Sequence, residues 1–145
     1  MSVGRICVRE VDIAESDESV QAAAQRMHAR KVGTLVVVDP ARAPIGIVTD
    51  RDLAVRIVGE ARDSGQTTVG EVMTRLPRTI HEDTPIEEAL RAMRVGTFRR
   101  LPVVDRAGTL VGLISIDDIL DLLIEEFALI GRLLHAESPG SLAGP

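Results

Sequence analysis

Two short stretches carry residue types and a spacing that could do chemistry. Thr49-Asp50-Arg51-Asp52 and Ser115-Ile116-Asp117-Asp118 each place a hydroxyl three residues before a carboxylate, directly after an apolar run containing glycine. At the start of a helix such a pair forms a capping box, the hydroxyl taking one backbone N–H and the carboxylate returning to another. The same geometry also suits a ligand. A helix N-terminus offers unpaired N–H groups and positive dipole charge to an anion such as phosphate. The hydroxyl adds a phosphate donor, and an ionised carboxylate accepts both hydroxyls of a ribose. The residues alone leave both readings open. Arg99 and Arg100 stand just before a buried run, where two guanidinium groups either clamp a phosphate or lie solvated on a rim. Arg30, Lys31 and Arg51 are further cations of this kind.

An enzyme constellation is missing from the sequence. His28, His81 and His135 lack metal-ligand spacing, Cys7 has no assignable base, and no GxxxxGK[ST] loop is present. The single cysteine permits no internal disulfide and matches apolar Met73 in the repeat described next, so it reads as a small buried hydrophobe.

The elements that must position these residues repeat at a fixed offset. Asp39 and Asp105, Gly46 and Gly112, and Asp52 and Asp118 are each separated by 66 positions. Val3-Gly4-Arg5-Ile6-Cys7 aligns with Val69-Gly70-Glu71-Val72-Met73 at the same offset. The first copy covers 3–58, a polar linker 59–68, and the second copy 69–126. In each copy a helix bears one apolar stripe: Val20, Ala23, Ala24 and Met27, then Ile86, Ala89, Leu90 and Met93. The first starts from Asp17; the second is expected to open with Thr84 as N-cap and Pro85 in the first helical position. Residues 35–38 and 101–104 are short Val-rich runs that read as strands buried on both faces, each followed by a turn and a second strand, at 45–48 and 110–114. Gly46 and Gly112 inside those second strands imply a close approach by the other copy or by a ligand. A helix then leaves each second strand. The first runs from Asp50 to Val58. The second continues past the repeat through 127–135, with an apolar stripe (Phe127, Ile130, Leu133, Leu134) that reads as a subunit interface. Residues 136–145 have the composition of a disordered tail.

A repeat of about 57 residues buries too little surface to be stable alone, so the copies should share a core. Of the 145 residues, 45% are apolar and 27% charged, the balance of an ordinary globular chain. Two Phe, no Tyr, no Trp and a net charge of −5 argue against a nucleic-acid partner, for want of stacking surfaces and phosphate-matching charge. The N-terminus lacks a signal pattern and no apolar run approaches about 18 residues, so a cytoplasmic location without membrane contact is the expectation.

The paired strands, the offset of 66 and the Gly-x-x-[Ser/Thr]-x-x-Asp ending of both copies resemble the CBS (cystathionine-β-synthase-type) motif, over about residues 3–126. The resemblance implies an α/β fold of two βαββα repeats related by a pseudo-two-fold axis, with two clefts between them. It implies a non-catalytic regulatory module, a Bateman module. Its clefts would hold adenosine-containing compounds, AMP first, with ADP, ATP or S-adenosyl compounds as alternatives, and no metal. Carried over residue by residue, Asp52 and Asp118 would hold ribose, Thr49 and Ser115 phosphate, with Arg51, Arg99 and Arg100 as cationic partners. Ile13, Ile80, Val32 and Pro102 would wall the adenine. A homodimer signalling to a separate protein partner is the corresponding assembly, and a constitutive assembly module with empty clefts is the alternative.

Overall fold

A computed structural model describes residues 1–75, 78–96 and 98–137. Helix α1 (Val3–Ile6) is followed by β1 (Ile13–Glu15), α2 (Val20–Arg30), β2 (Thr34–Val38), β3 (Pro44–Thr49) and α3 (Asp50–Leu53), which runs on as a π-helical turn, Ala54–Val58. The second copy opens with α4 (Val69–Val72) and β4 (Thr74–Arg75), a strand that joins the first copy's sheet, and then repeats the order as β5 (Ile80–His81), α5 (Ile86–Gly96), β6 (Arg100–Val104), β7 (Leu110–Ser115) and α6 (Ile116–Ala136). Each copy is therefore βαββα behind a short opening helix, and the pseudo-symmetric α/β architecture is as expected.

Strand register carries the offset into three dimensions. β1 runs parallel to β2, and β2 antiparallel to β3 with Val37 opposite Gly46. β5 runs parallel to β6, and β6 antiparallel to β7 with Val103 opposite Gly112. β2 is apolar from Leu35 to Val38 because both faces are covered there. Leu35 and Val37 enter a core with Val20, Ala23, Met27 and Val48, while Val36 and Val38 enter a layer shared with Leu110 and Leu113 of the second copy. The shared layer supplies the common core that two small repeats need.

The copies are also joined by exchange of their opening segments. α4 and Met73 fill the core of the first copy, and Val3 and Cys7 fill that of the second. β4 extends the first sheet, with Ile47 opposite Thr74, and Val8 bridges Leu113 at the matched place in the second. Backbone bonds repeat the exchange: Val3 N–H donates to Thr84 O, and Val69 N–H to Glu18 O, both at 2.8 Å. Gly46 and Gly112 are required by it. A Cβ at Gly46 would lie 2.5 Å from Met73 Sδ and 3.0 Å from Thr74 O, and one at Gly112 would lie 2.6 Å from Cys7 Sγ and 3.0 Å from Val8 O. The close approach is thus made by the other copy. Cys7 is buried there, and desolvation pushes its thiol pKa up.

Two helix starts differ from the expectation: α2 begins at Val20 rather than Asp17, because Ser19 caps it and Asp17 lies in the turn before it. α5 begins at Ile86, and Pro85 stands in the N-cap position, where its carbonyl accepts from Glu88 and Ala89. The N–H of Ile86 donates to Met1 O of the exchanged N-terminus, which moves the boundary one residue along the chain. In the first copy Ser19 holds that place and caps α2 by accepting from Ala22 N–H. Of the stretch 136–145, Ala136 closes α6, Glu137 follows it, and the rest lies outside the described residues.

Candidate functional site

α6 leaves β7 without a loop, so Ser115 ends the strand and caps the helix at once. Its Oγ accepts from Asp118 N–H at 3.2 Å, and Asp118 Oδ2 accepts from both the N–H (2.7 Å) and the hydroxyl (2.8 Å) of Ser115. The first copy builds the same box: Asp52 N–H donates to Thr49 Oγ1 at 3.1 Å, and Thr49 N–H to Asp52 Oδ2 at 2.9 Å. Both aspartates therefore act as caps, and in both the bonds fall on Oδ2.

Their surroundings differ. Arg56 approaches Asp52 Oδ1 at 3.7 Å and also donates to Val72 O, tying the carboxylate to the exchanged segment. The matched residue in α6 is Leu122, which brings no cation to Asp118. Asp118 instead lines a cleft of about 280 Å³ between the copies. Val8, Glu10, Val11, Asp12, Val32, Gly33 and Thr34 form one side, and Arg100, Leu113, Ser115 and Asp118 the other. Four expected site residues are thus brought together: Val32, Arg100, Ser115 and Asp118. The arrangement offers a carboxylate, a hydroxyl, the N-terminus of a 21-residue helix, a guanidinium group and an apolar wall.

The other expected residues lie elsewhere. Arg99 borders a groove of about 440 Å³ with Leu90, Met93, Phe98 and Ile116, so the two arginines border different cavities. Adjacent residues entering a strand point to opposite faces, and that alternation was available in the sequence. Thr49 and Asp52 are half-buried and Arg51 exposed, and none of the three lines either cleft. Pro102 is buried in β6 opposite Leu113. Ile13 packs in the layer between the sheets. Ile80 is buried in the second core, and the register matches it to Ala14 rather than to Ile13.

Two acidic residues in the cleft, Glu10 and Asp12, escaped the sequence reading. Asp12 Oδ1 accepts from Arg30 Nε at 2.8 Å, and this bond pushes the Arg30 pKa up. The available signal was a break in the repeat, since the position matched to Asp12 holds Arg78. Among the described residues, no group of three or more His, Cys, Asp or Glu could hold a metal ion, and no helix is long and apolar enough to cross a membrane.

The exchanged pair of βαββα units and their family relationship agree: the model of the CBS domain matches residues 3–59 and 69–125. The chain belongs to the CBS-domain family. CBS-domain proteins are typically non-catalytic regulatory modules. An uncharacterised protein of Methanopyrus kandleri, MK0525, is 32% identical over 122 residues, 84% of this chain and 62% of that protein. The chain spans only about a fifth of the length of two further relatives, CBS domain-containing proteins of Arabidopsis thaliana. Among solved structures, CBSX2 in complex with AMP is similar at 26% identity and a TM-score of 0.72, over 86% of this chain and 97% of that one. The CBS domain pair of MJ0100, in complex with 5′-methylthioadenosine and S-adenosyl-L-methionine, matches at 28% identity and a TM-score of 0.74, over 87% and 98%.

Proposed function

We propose that this CBS pair is a regulatory module that takes an adenosine-containing compound in the cleft lined by Arg100, Ser115 and Asp118, and passes its occupancy to a partner protein. The observation that carries the reading is the meeting of these three residues with the apolar Val8–Val32–Leu113 wall at the start of α6. Asp118 Oδ1 would take the ribose hydroxyls while Oδ2 keeps the cap. Arg100 would meet a phosphate, the Ser115 hydroxyl would turn to it from Asp118 Oδ2, and the aliphatic wall would sandwich the base. That related pairs hold AMP in CBSX2 and methylthioadenosine in MJ0100 supports this class of ligand. AMP, ADP, ATP and S-adenosyl compounds are the candidates, and a cytoplasmic homodimer is the corresponding assembly.

The test is thermal unfolding of the purified chain with each compound. A ligand at about 100 times its dissociation constant adds roughly 2.7 kcal/mol to folding, a shift read easily. No shift with any adenosine compound at millimolar concentration would overturn the proposal. It would favour the alternative of a constitutive assembly module, which the exposed apolar face of α6 supports independently.

A further inference from the structure

We infer that the cleft selects adenosine compounds whose tail carries no more than one phosphate, and that Glu10 and Asp12 are the residues that turn polyphosphates away. The inference rests on reading this cleft as an adenosine site, and goes beyond it by fixing the charge of the tail. Charge decides the case. Among the described residues that line the cleft, Arg100 is the one cation, set against Glu10, Asp12 and Asp118. Asp118 is committed to its cap and, in the proposal, to ribose. Asp12 is half-buried and holds Arg30 on its Oδ1 at 2.8 Å, so its part is to keep that guanidinium group from a phosphate. Glu10 is exposed and in no ion pair among the described residues. Asp50 adds a further carboxylate, 2.9 Å from where a Cβ on Gly33 would stand.

One guanidinium group can match one phosphate in bidentate fashion. A second and third phosphate would find no uncommitted cation, since Arg30 beside the cleft is bound to Asp12, and would meet the carboxylates of the rim, where like charges repel. Size points the same way. At about 280 Å³ the cleft lies just below the usual range of ligand pockets, about 300 to 1,000 Å³, so a long tail would leave through the acidic rim. A neutral tail, or a cationic one such as a sulfonium, meets no such barrier.

Calorimetric titration of the full chain with adenosine, AMP and ATP in magnesium-free, low-salt buffer tests the inference. AMP should bind at least about tenfold tighter than ATP, and added salt should narrow the gap by screening the rim. Glu10→Gln should narrow it as well, by raising the affinity for ATP relative to AMP and adenosine. Adding Asp12→Asn should narrow it further, and Glu10→Gln alone keeps the test interpretable if loss of the Arg30 pair impairs folding. ATP binding as tightly as AMP would overturn the inference while leaving the adenosine site standing. An unchanged gap in both variants would overturn the role of the two acids. Failure of all three compounds to bind would remove the proposed function and this inference together.

Discussion

At the residue scale, Asp118 and Asp52 do the same local work in different company. Each closes a capping box through Oδ2, but only Asp118 lines the inter-repeat cleft, while Arg56 stands beside Asp52. Asp→Asn keeps the shape and removes the charge. As caps alone, both variants should lose about 1 kcal/mol of stability or less. As a ribose acceptor, Asp118→Asn should also weaken adenosine and AMP by about 1.5–3 kcal/mol, roughly ten- to hundredfold, and Asp52→Asn should not. Paired titrations and urea melts separate the two outcomes. Equal affinities in wild type and Asp118→Asn would reduce this aspartate to a cap. Arg100→Ala should cost AMP more than adenosine, since only AMP carries the phosphate, and equal losses would remove the phosphate role from Arg100.

At the element scale, the two copies are held by segments that cross between them, and the glycines of β3 and β7 make room for the crossing. Gly46→Ala should therefore destabilise by about 1–3 kcal/mol, because the new Cβ meets the backbone at Thr74 as well as the Met73 side chain. Gly108→Ala is the control: its φ of 81° strains a side chain, but nothing lies within 4 Å, so the loss should stay near 1 kcal/mol. Similar losses at both sites in denaturant melts would argue against the packing role of Gly46. A second element-level effect follows from α2, whose Arg26 bonds Glu18 in the loop before it and also donates to Ile13 O. The hydrogen bond from Arg26 holds the Glu18 pKa below its ordinary value of 4.5. A depressed carboxylate stabilises the fold fully above that ordinary value, and the contribution is lost as pH falls through the folded value. Glu18→Gln should then lower stability at pH 7 and flatten its decline below about pH 4.5 relative to wild type. Parallel pH profiles for the two proteins would show that the pair contributes nothing.

At the scale of the whole molecule, α6 leaves its repeat and carries an unpartnered apolar face, with Phe127 71% and Ile130 51% exposed. Leu120, Leu123, Phe127, Ile130 and Leu134 follow a spacing of alternating three and four residues, that of a seam between two helices. A second copy is the expected occupant, so light scattering at micromolar concentration should give a dimer, and Phe127→Glu with Ile130→Glu should shift it toward monomer. A dimer unaffected by both changes would move the interface elsewhere. What the sequence determined by itself was local or periodic: the offset of 66, the buried strands, both capping boxes, the stripe of α6 and the burial of Cys7. Such features follow from residues a few positions apart, or from their exact repetition. Only the tertiary structure decided that the opening segments exchange cores, that Gly46 and Gly112 face that exchange, that Arg99 and Arg100 part company, and that Glu10 and Asp12 join Asp118 across one cleft. Each of those depends on which faces of two sheets meet across about a hundred residues of chain, and hydrophobic period says that a face is buried without saying against what.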